Sequence, residues 1–301
     1  MNEPICDGRV VIVTGAGGGI GRYHALEFAR QGAKVVVNDR GVRVDGSDGA
    51  RETVSAADAV VAEIIERGGE AVADYHDVSD MAGAEALVQR AVDEFGQLNV
   101  LVNNAGIVRD RTVANMAESE WDDVIRVHLK GTFAPTHFAS RYWRSLHKEG
   151  RPVPARIVNT TSTSGLFGNP GQSNYGAAKA GIASFTMITA MELHRYGIKV
   201  NAVSPGARTR MTAGLIDEPE GDFDPFDPAA IAPFVVWLGS DAAGEMTGQV
   251  LAVSGGTVTV LEPWRPGPSE ERPHLFSVQD VADVVPKLLA DAYINPRLPQ
   301  G

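Results

Sequence analysis

Cysteine is almost missing from this 301-residue sequence, which contains only Cys6. A single thiol cannot close an intramolecular disulfide, so a disulfide-stapled secreted fold is excluded and a reducing compartment is favoured. Long apolar runs are missing too: Phe234–Leu238 is typical of the longest, whereas a membrane helix needs about 20 apolar residues. Residues 1–7 are polar and acidic, unlike the start of a signal peptide. We therefore expect a cytoplasmic protein that neither spans nor binds a membrane.

Positive charge is also in short supply, with 27 Lys and Arg against 38 Asp and Glu and a formal net charge of −11. Because such a field repels polyanions, nucleic acid is excluded as a partner, and a phosphate-bearing ligand must be held by local groups. The stretch Asp-Gly-Ser-Asp-Gly from Asp45 resembles the start of a calcium loop. Ala56 stands where that loop needs its twelfth-position Glu, so we expect no metal site.

What the sequence does contain is a regular alternation of short β-branched runs with longer amphipathic stretches, which is typical of a parallel sheet with crossover helices. The seven predicted strands are Val10–Val13, Lys34–Asn38, Glu70–Tyr75, Val100–Asn103, Arg156–Thr160, Lys199–Val203 and Val250–Val253. The predicted helices are Ile20–Arg30, Val54–Arg67, Met81–Phe95, Glu118–Leu146, Asn174–Tyr196 and Ala229–Leu238. We therefore predict an α/β fold, a doubly wound seven-stranded parallel sheet with helices on both faces.

Two segments depart from this alternation. Gly41–Thr53 separates the second strand from the second helix by about thirteen residues, where two to six are usual, so we expect a mobile or functional loop. After Gly256 the chain carries four prolines before one short predicted helix, Val278–Ala290. Because so short and proline-rich a tail buries little core, we predict one large domain over 1–256 and a C-terminal extension over 257–301.

The first predicted strand runs into Thr-Gly-Ala-Gly-Gly-Gly-Ile-Gly, residues 14–21, and then directly into a helix. Glycines let a pyrophosphate approach the backbone, and the free N–H groups at a helix start attract the anion. A purely structural turn remains the alternative, although the strand–turn–helix context favours phosphate binding. The candidate cofactor-binding residues of this turn are Gly15, Gly18, Gly19, Ile20 and Gly21.

Asp39 ends the second predicted strand, eighteen residues beyond Gly21. An acid at this place accepts hydrogen bonds from adenosine ribose hydroxyls and repels a 2′-phosphate, which favours NAD over NADP. The next residue, Arg40, is a guanidinium that offsets part of that repulsion. A solvated loop acid is the alternative interpretation of Asp39.

The glycine spacing Thr-Gly-x-x-x-Gly-x-Gly resembles that of the short-chain dehydrogenase/reductase family, and five further motifs of that family occur in order within residues 8–256. The resemblance implies a Rossmann-type fold and a homotetramer or homodimer. It assigns the adenine contact to Asp77 and Val78, the cofactor groove to Asn104, Ala105 and Gly106, and the nicotinamide side to Pro205, Gly206 and Thr209.

The family's catalytic positions match Ser162, Tyr175 and Lys179. A phenol with a pKa near 10 is a poor base at neutral pH, but a neighbouring ammonium and a nearby nicotinium charge favour the phenolate and lower that pKa. Tyr175 would then exchange the proton, Lys179 would tune it and hold the nicotinamide ribose, and Ser162 would hydrogen-bond the reacting oxygen. Ser164 is the nearest alternative to Ser162, and an ordinary helix pair is the alternative for Tyr175 and Lys179.

His128 stands where most of the family has an Asn, within Val-His-Leu-Lys-Gly. It is a candidate for the proton relay, with a purely structural helix residue as the alternative. With a His at this position, the sequence also resembles the hydroxyacyl-coenzyme A dehydrogenase part of type 2 multifunctional enzymes. The resemblance implies oxidation of (3R)-hydroxyacyl-coenzyme A and some steroid alcohols.

The substrate loop that the resemblance implies, Met211–Pro228, is acidic and is an unfavourable clamp for coenzyme A phosphates, so Arg208 and Arg210 are the candidates for that task. We expect an NAD-dependent dehydrogenase of a bulky apolar secondary alcohol, with hydroxyacyl thioesters preferred to steroids. The alternatives are an NADPH-dependent carbonyl or 3-ketoacyl reductase and a non-catalytic NAD-binding regulator.

Overall fold

A computed structural model describes residues 3–41, 55–209, 212, 221 and 223–293. Within this part of the chain, eight strands form one sheet in the order β3-β2-β1-β4-β5-β6-β7-β8, and six neighbouring pairs from β3 to β7 are parallel. The strands are β1 Val10–Thr14, β2 Lys34–Asn38, β3 Glu70–Asp74, β4 Val100–Asn103, β5 Arg156–Thr160, β6 Lys199–Pro205, β7 Val250–Ser254 and β8 Thr257–Leu261.

Helices cover both faces of this sheet, which explains why its central strands are continuous apolar runs. Val11 and Val13 of β1 belong to one buried cluster with α1, α2 and α8, whereas Val10 and Ile12 belong to another with α3, α5 and α7. The helices are α1 Gly19–Arg30, α2 Ala56–Glu66, α3 Met81–Phe95, α4 Glu118–Ile125, α5 Gly131–Lys148, α6 Thr163–Phe167, α7 Ser173–Leu193, α8 Ala232–Gly239 and α9 Val278–Asp291. The predicted doubly wound α/β architecture is confirmed.

The predicted number of strands is wrong by one, because β8 follows β7 after only Gly255 and Gly256. So short a connection permits only an antiparallel neighbour. Most β8 side chains are exposed, so the strand lacks the buried apolar pattern that identifies the others. The predicted division after Gly256 falls in the turn that leads into this strand.

The long helix predicted over Glu118–Leu146 is interrupted. Between α4 and α5 the backbone widens into one π-helical turn, Arg126–Lys130, and His128 lies in it. Such turns occur frequently at functional sites. Hydrophobic periodicity does not reveal the extra residue, because the helical direction continues on both sides.

The chain divides into two compact units, Met1–Val260 and Leu261–Gly301. The described part of the second unit contains α9, which begins with a capping box: Ser277 Oγ accepts from Asp280 N at 3.1 Å, and Ser277 N donates to the Asp280 carboxylate at 2.8 Å. Arg272 forms an ion pair with Asp280. No helix of the described ranges combines the length and the apolar character that crossing a bilayer requires.

Candidate active site

A cavity of about 420 Å³ lies in the first unit at the carboxyl ends of the strands. The strand order reverses between β1 and β4, and ligands of doubly wound sheets bind outside the carboxyl ends at such a point. The cavity is lined by all but one of the predicted cofactor and catalytic residues. These are Gly15, Gly18, Gly19, Ile20, Asp39, Asp77, Val78, Asn104, Ala105, Gly106, His128, Ser162, Tyr175, Lys179, Pro205, Gly206 and Thr209.

The exception is Gly21, which lies behind the glycine turn. A Cβ at Gly21 would overlap Gly15 O and Asn104 Nδ2, so only glycine lets α1 pack this close. Asn104 Nδ2 donates to Thr14 O at 3.0 Å, and Asn104 N donates to Thr14 Oγ1 at 2.9 Å. The end of β4 therefore holds the glycine turn in place at the start of α1.

Asp39 lies directly against the glycine turn in the wall of the cavity. Its carboxylate accepts hydrogen bonds from Gly17 N at 2.9 Å and Gly41 N at 2.8 Å. Because these two contacts use only part of the carboxylate's acceptor capacity, Asp39 can still receive ribose hydroxyl groups. The guanidinium of Arg40 forms an ion pair with Asp77. The loop predicted over Gly41–Thr53 lies outside the described residues except for Gly41.

The Asp77 carboxylate is engaged on both oxygens. Oδ1 accepts from Ser79 N at 2.8 Å and Ser79 Oγ at 2.6 Å, and Oδ2 lies 3.0 Å from Arg40 Nη1 and 3.3 Å from Arg126 Nη1. Burial alone raises the pKa of Asp77, but the bonds from Ser79 and the two guanidinium groups outweigh it, so this pKa is lowered. Asp77 is therefore ionised at neutral pH at the end of the cavity that Asp39 and Val78 line.

Lys179 lies in α7 with its side chain buried against the end of β5. Its Nζ donates to Thr160 O at 2.7 Å, and Lys179 O accepts from Thr161 Oγ1 at 2.7 Å. Burial lowers the pKa of Lys179 to about 7. The ammonium is thus easily deprotonated and lies 5.6 Å from the centre of the Tyr175 ring.

Tyr175 lies one helical turn before Lys179. Burial raises the pKa of Tyr175, a hydrogen bond from Ser162 lowers it, and the charge of Asp110 raises it. The net direction in the protein alone is upward, because burial disfavours the phenolate. The expected lowering by Lys179 together with a nicotinium charge stays a prediction. The Ser162 contact favours Ser162 over Ser164 as the partner of the phenol.

His128 is buried beside Tyr175, with the two rings perpendicular and their centres 5.1 Å apart. Its Nε2 lies 2.7 Å from Ile107 O and 3.1 Å from Ile107 N. Burial, and then the nearby Lys179 charge, lower the pKa of His128 to about 3, so the ring is neutral at physiological pH. A Cβ at Gly106 would overlap this ring, which explains the glycine at that position.

Of the two candidate coenzyme A ligands, only Arg208 lies within the described residues. Arg208 lies 3.4 Å from Asp224, and its backbone N–H donates to Phe226 O at 2.6 Å. Arg210 lies outside the described residues, as do residues 211, 213–220 and 222 of the predicted substrate loop. In the described part, Arg208 is thus held by the loop itself.

The glycine turn, Asp39 and the Ser162–Tyr175–Lys179 group line one cavity. Comparison with known proteins shows which family has this arrangement. A short chain dehydrogenase family profile matches residues 9–220. The chain belongs to the short-chain dehydrogenase family. It is an oxidoreductase of the kind that acts on CH–OH groups.

Individual members of this family are closely similar to the chain. A crystal structure of a short chain dehydrogenase from Mycobacterium avium is 51% identical, with a TM-score of 0.88, over 99% of this chain and 100% of that one. The hydroxyacyl-CoA dehydrogenase ChsB1 of Mycobacterium tuberculosis is 45% identical, over 87% of this chain and 82% of its own length. The mouse peroxisomal multifunctional enzyme type 2 is 43% identical over 85% of this chain, but the match spans only 33% of that longer protein.

Some residues of the site were not identified from the sequence. Arg126 reaches Asp77 from the π-helical turn, and Asn174 holds the start of α7 by three hydrogen bonds. Arg126 carries no signal in the sequence, because its partner lies 49 residues away. Asn174 had one signal, an amide directly before the candidate catalytic tyrosine.

Proposed function

We propose that this short-chain dehydrogenase is NAD-dependent and interconverts a bulky apolar secondary alcohol with its ketone, with a 3-hydroxyacyl thioester as the preferred substrate. One observation carries the proposal: the Ser162–Tyr175–Lys179 group and Asp39 line the same cavity, with the glycine turn also in its wall. This arrangement suits a dinucleotide that is held by the glycine turn and Asp39 and whose nicotinamide lies beside Tyr175.

The cavity suits a dinucleotide on the chain's own geometry. A Cβ at Gly15 would lie 2.7 Å from Ala105 Cα, so a side chain there would push the turn away from β4 and disturb the cradle. Gly18 caps α1 without a side chain of its own, which leaves the first N–H groups of the helix available to a pyrophosphate. NAD⁺, when bound, would supply the hydride acceptor for alcohol oxidation.

The proton chemistry belongs to the protein. Tyr175 takes the hydroxyl proton of the alcohol as the carbonyl forms, or returns it in reduction, and Ser162 donates a hydrogen bond to the reacting oxygen. Because burial alone raises the phenol pKa, the phenolate depends on a positive charge beside it, which Lys179 supplies when protonated. Lys179 in turn donates to Thr160 O, which fixes the position of that charge.

His128 is proposed to support this group without carrying the proton. A base with a pKa of about 3 does not hold a proton at neutral pH, so it cannot pass one on by cycling through its charged form. Its contact with Ile107 and its edge-on contact with Tyr175 fix the wall of the cavity instead. A relay through the backbone carbonyl of His128, which does not depend on the charge of its side chain, stays the alternative.

The preference for NAD rests on Asp39 and on the partner of Arg40. The Asp39 carboxylate accepts a hydrogen bond from the glycine turn, and the neighbouring Arg40 forms an ion pair with Asp77. A 2′-phosphate would meet a carboxylate in the place where NADP enzymes need a cation. Fluorescence titration with NADH and NADPH tests this, and tighter binding of NADPH would refute it.

The proposed thioester substrate rests on the names of the relatives and on the apolar wall residues Ile107 and Val108. The test is a screen of NAD⁺-dependent oxidation across hydroxyacyl-coenzyme A esters, steroid alcohols and small alcohols, following NADH absorbance. We expect the hydroxyacyl esters to have the highest kcat/KM. Turnover of small polar alcohols alone would contradict the proposal, and no turnover of any alcohol would favour a non-catalytic NAD-binding protein.

The oligomeric state and the location stay predictions. A homodimer or homotetramer follows from the family resemblance, and light scattering in solution tests it. The cytoplasmic location is likewise untested, and the relatives include a peroxisomal enzyme.

A further inference from the structure

The residue directly before Tyr175, Asn174, has a fully buried amide that makes three hydrogen bonds. Asn174 Nδ2 donates to Arg109 O and to Glu120 O, both at 3.0 Å, and Oδ1 accepts from Tyr175 N at 2.7 Å. Its partners lie on three different segments: the loop after β4, helix α4 and the first turn of α7. One side chain therefore joins the segment carrying Tyr175 to two others.

The loop after β4 is attached to the same region by further contacts. Arg111 N donates to Gly171 O at 2.8 Å, and Gln172 Nε2 donates to Asp110 at 2.8 Å. At its start this loop meets His128 through Ile107, which also lines the cavity. The wall of the cavity and the start of α7 are thus held as one body, with the Asn174 amide at its buried centre.

We infer that Asn174 is a positioning residue for Tyr175, acting through the backbone of the loop after β4 and of α4. The inference rests on the proposed function, in which the Tyr175 phenol exchanges the proton of the substrate. It goes further by assigning the placement of that phenol to an amide that does not contact the reacting atoms. A displacement of about 1 Å in a reacting group lowers turnover by about 100-fold, so a small loss of this anchor has a large effect.

Only an amide meets the requirements of this position. An Asp keeps the acceptor for Tyr175 N but replaces both N–H donors with a carboxylate oxygen that faces two carbonyl oxygens. An Ala leaves the carbonyls of Arg109 and Glu120 buried without their present donor, which is destabilising. The Asn174→Asp variant is therefore the sharper test, because its size is unchanged and its charge depends on pH.

For Asn174→Asp we expect kcat at neutral pH to fall by about 100-fold with NADH, using acetoacetyl-coenzyme A as the ketone. The Kd of NADH, measured by fluorescence, stays within about twofold, because Asn174 contacts neither the glycine turn nor Asp39. As the pH falls, protonation of the introduced carboxyl restores one donor, so the ratio of variant to wild-type kcat rises toward one. The kcat is expressed per folded enzyme, with the folded fraction measured by circular dichroism at each pH, because protonation of a buried carboxyl also restores stability.

The matched control is Asn115→Asp. Asn115 is exposed and lies in the same connection between β4 and α4, and its side chain bonds only to the Thr112 side chain in the described contacts, at 3.0 Å. Its kcat and pH profile are expected to match the wild type. A wild-type kcat for Asn174→Asp, or a loss that is the same at every pH, overturns the inference.

Two further measurements keep the outcome decisive. If Asn174→Asp does not fold, Asn174→Ser, which keeps an acceptor and one donor, is expected to give an intermediate kcat, and a wild-type kcat overturns the inference. Amide hydrogen exchange of the folded variant, measured without substrate, is expected to increase in residues 107–112 and 173–176 but not in 14–21. Unchanged exchange refutes the anchor, whereas a wild-type enzyme that reduces no ketoacyl ester refutes the proposed function alone.

Discussion

Replacing Lys179 with Met is expected to stabilise the fold while removing the activity. The ammonium is 3% exposed, and burial lowers its pKa from 10.5 to about 7. In the unfolded chain the same group is protonated below pH 10.5. The cost of burying this charge therefore lowers the free energy of unfolding at pH 7 by about 4 kcal/mol. Met has similar length and no charge, and it loses only the hydrogen bond to Thr160 O, which is a change of about 1–3 kcal/mol.

The net effect of Lys179→Met at pH 7 is thus about 2 kcal/mol of stabilisation, or a rise in Tm of about 5 °C. The direction with pH follows from the lowered pKa of the folded state. The destabilisation by the wild-type lysine is complete below pH 7 and disappears as the pH rises toward 10.5, so the advantage of Met shrinks between these values. Thermal unfolding by circular dichroism at pH 7, 8 and 9 measures the difference in Tm between Lys179→Met and the wild type. The control is Lys148→Met, because Lys148 is exposed at the end of α5. A lower Tm for Lys179→Met at pH 7, or an advantage that does not change with pH, would show that the buried lysine does not destabilise the fold.

Three other results are expected. Asp39→Ala weakens the preference for NADH over NADPH by at least about tenfold in fluorescence titration, because the carboxylate that repels a 2′-phosphate is gone, and an unchanged ratio contradicts this. Gly106→Ala lowers kcat and Tm because its methyl group overlaps the His128 ring, and the double variant with His128→Ala recovers Tm, whereas additive losses would show that the two sites are independent. His24 is fully buried with a pKa of about 3, whereas in the unfolded chain it is protonated below pH 6.5. This group alone therefore lowers the free energy of unfolding by about 1.4 kcal/mol per pH unit as the pH falls from 6.5 to 3. His24→Leu is expected to flatten this part of the Tm profile, and a profile as steep as that of the wild type would show that the loss arises elsewhere.

Much of the fold was accessible from the sequence because the sheet is covered on both faces. A strand such as β1 is then buried and apolar from Val10 to Val13, and such runs are easily identified between amphipathic helices. The eighth strand was missed for the same reason, since its exposed side chains leave no such run. The π-helical turn was missed because one extra residue per turn does not change which residues are apolar.

The cofactor-binding and catalytic residues were predictable where they form short local motifs. Gly15, Asp39 and the pair of Tyr175 and Lys179 are each recognised from neighbours in the chain, and the structure brings them to one cavity. The protonation of Tyr175 was not predictable, because its pKa depends on burial by segments distant in the sequence. The ion pair of Arg126 with Asp77 is of the same kind.

The proposed function requires Tyr175 to exchange the substrate proton in an NAD-dependent oxidation of a hydroxyacyl thioester. The most direct test measures NADH formed from a 3-hydroxyacyl-coenzyme A by the wild type and by Tyr175→Phe, with the Kd of NADH determined for both. We predict that kcat falls by at least about 100-fold in the variant while the Kd is unchanged, because only the phenolic hydroxyl is removed. An equal rate of NADH formation by the two proteins would refute this role of Tyr175.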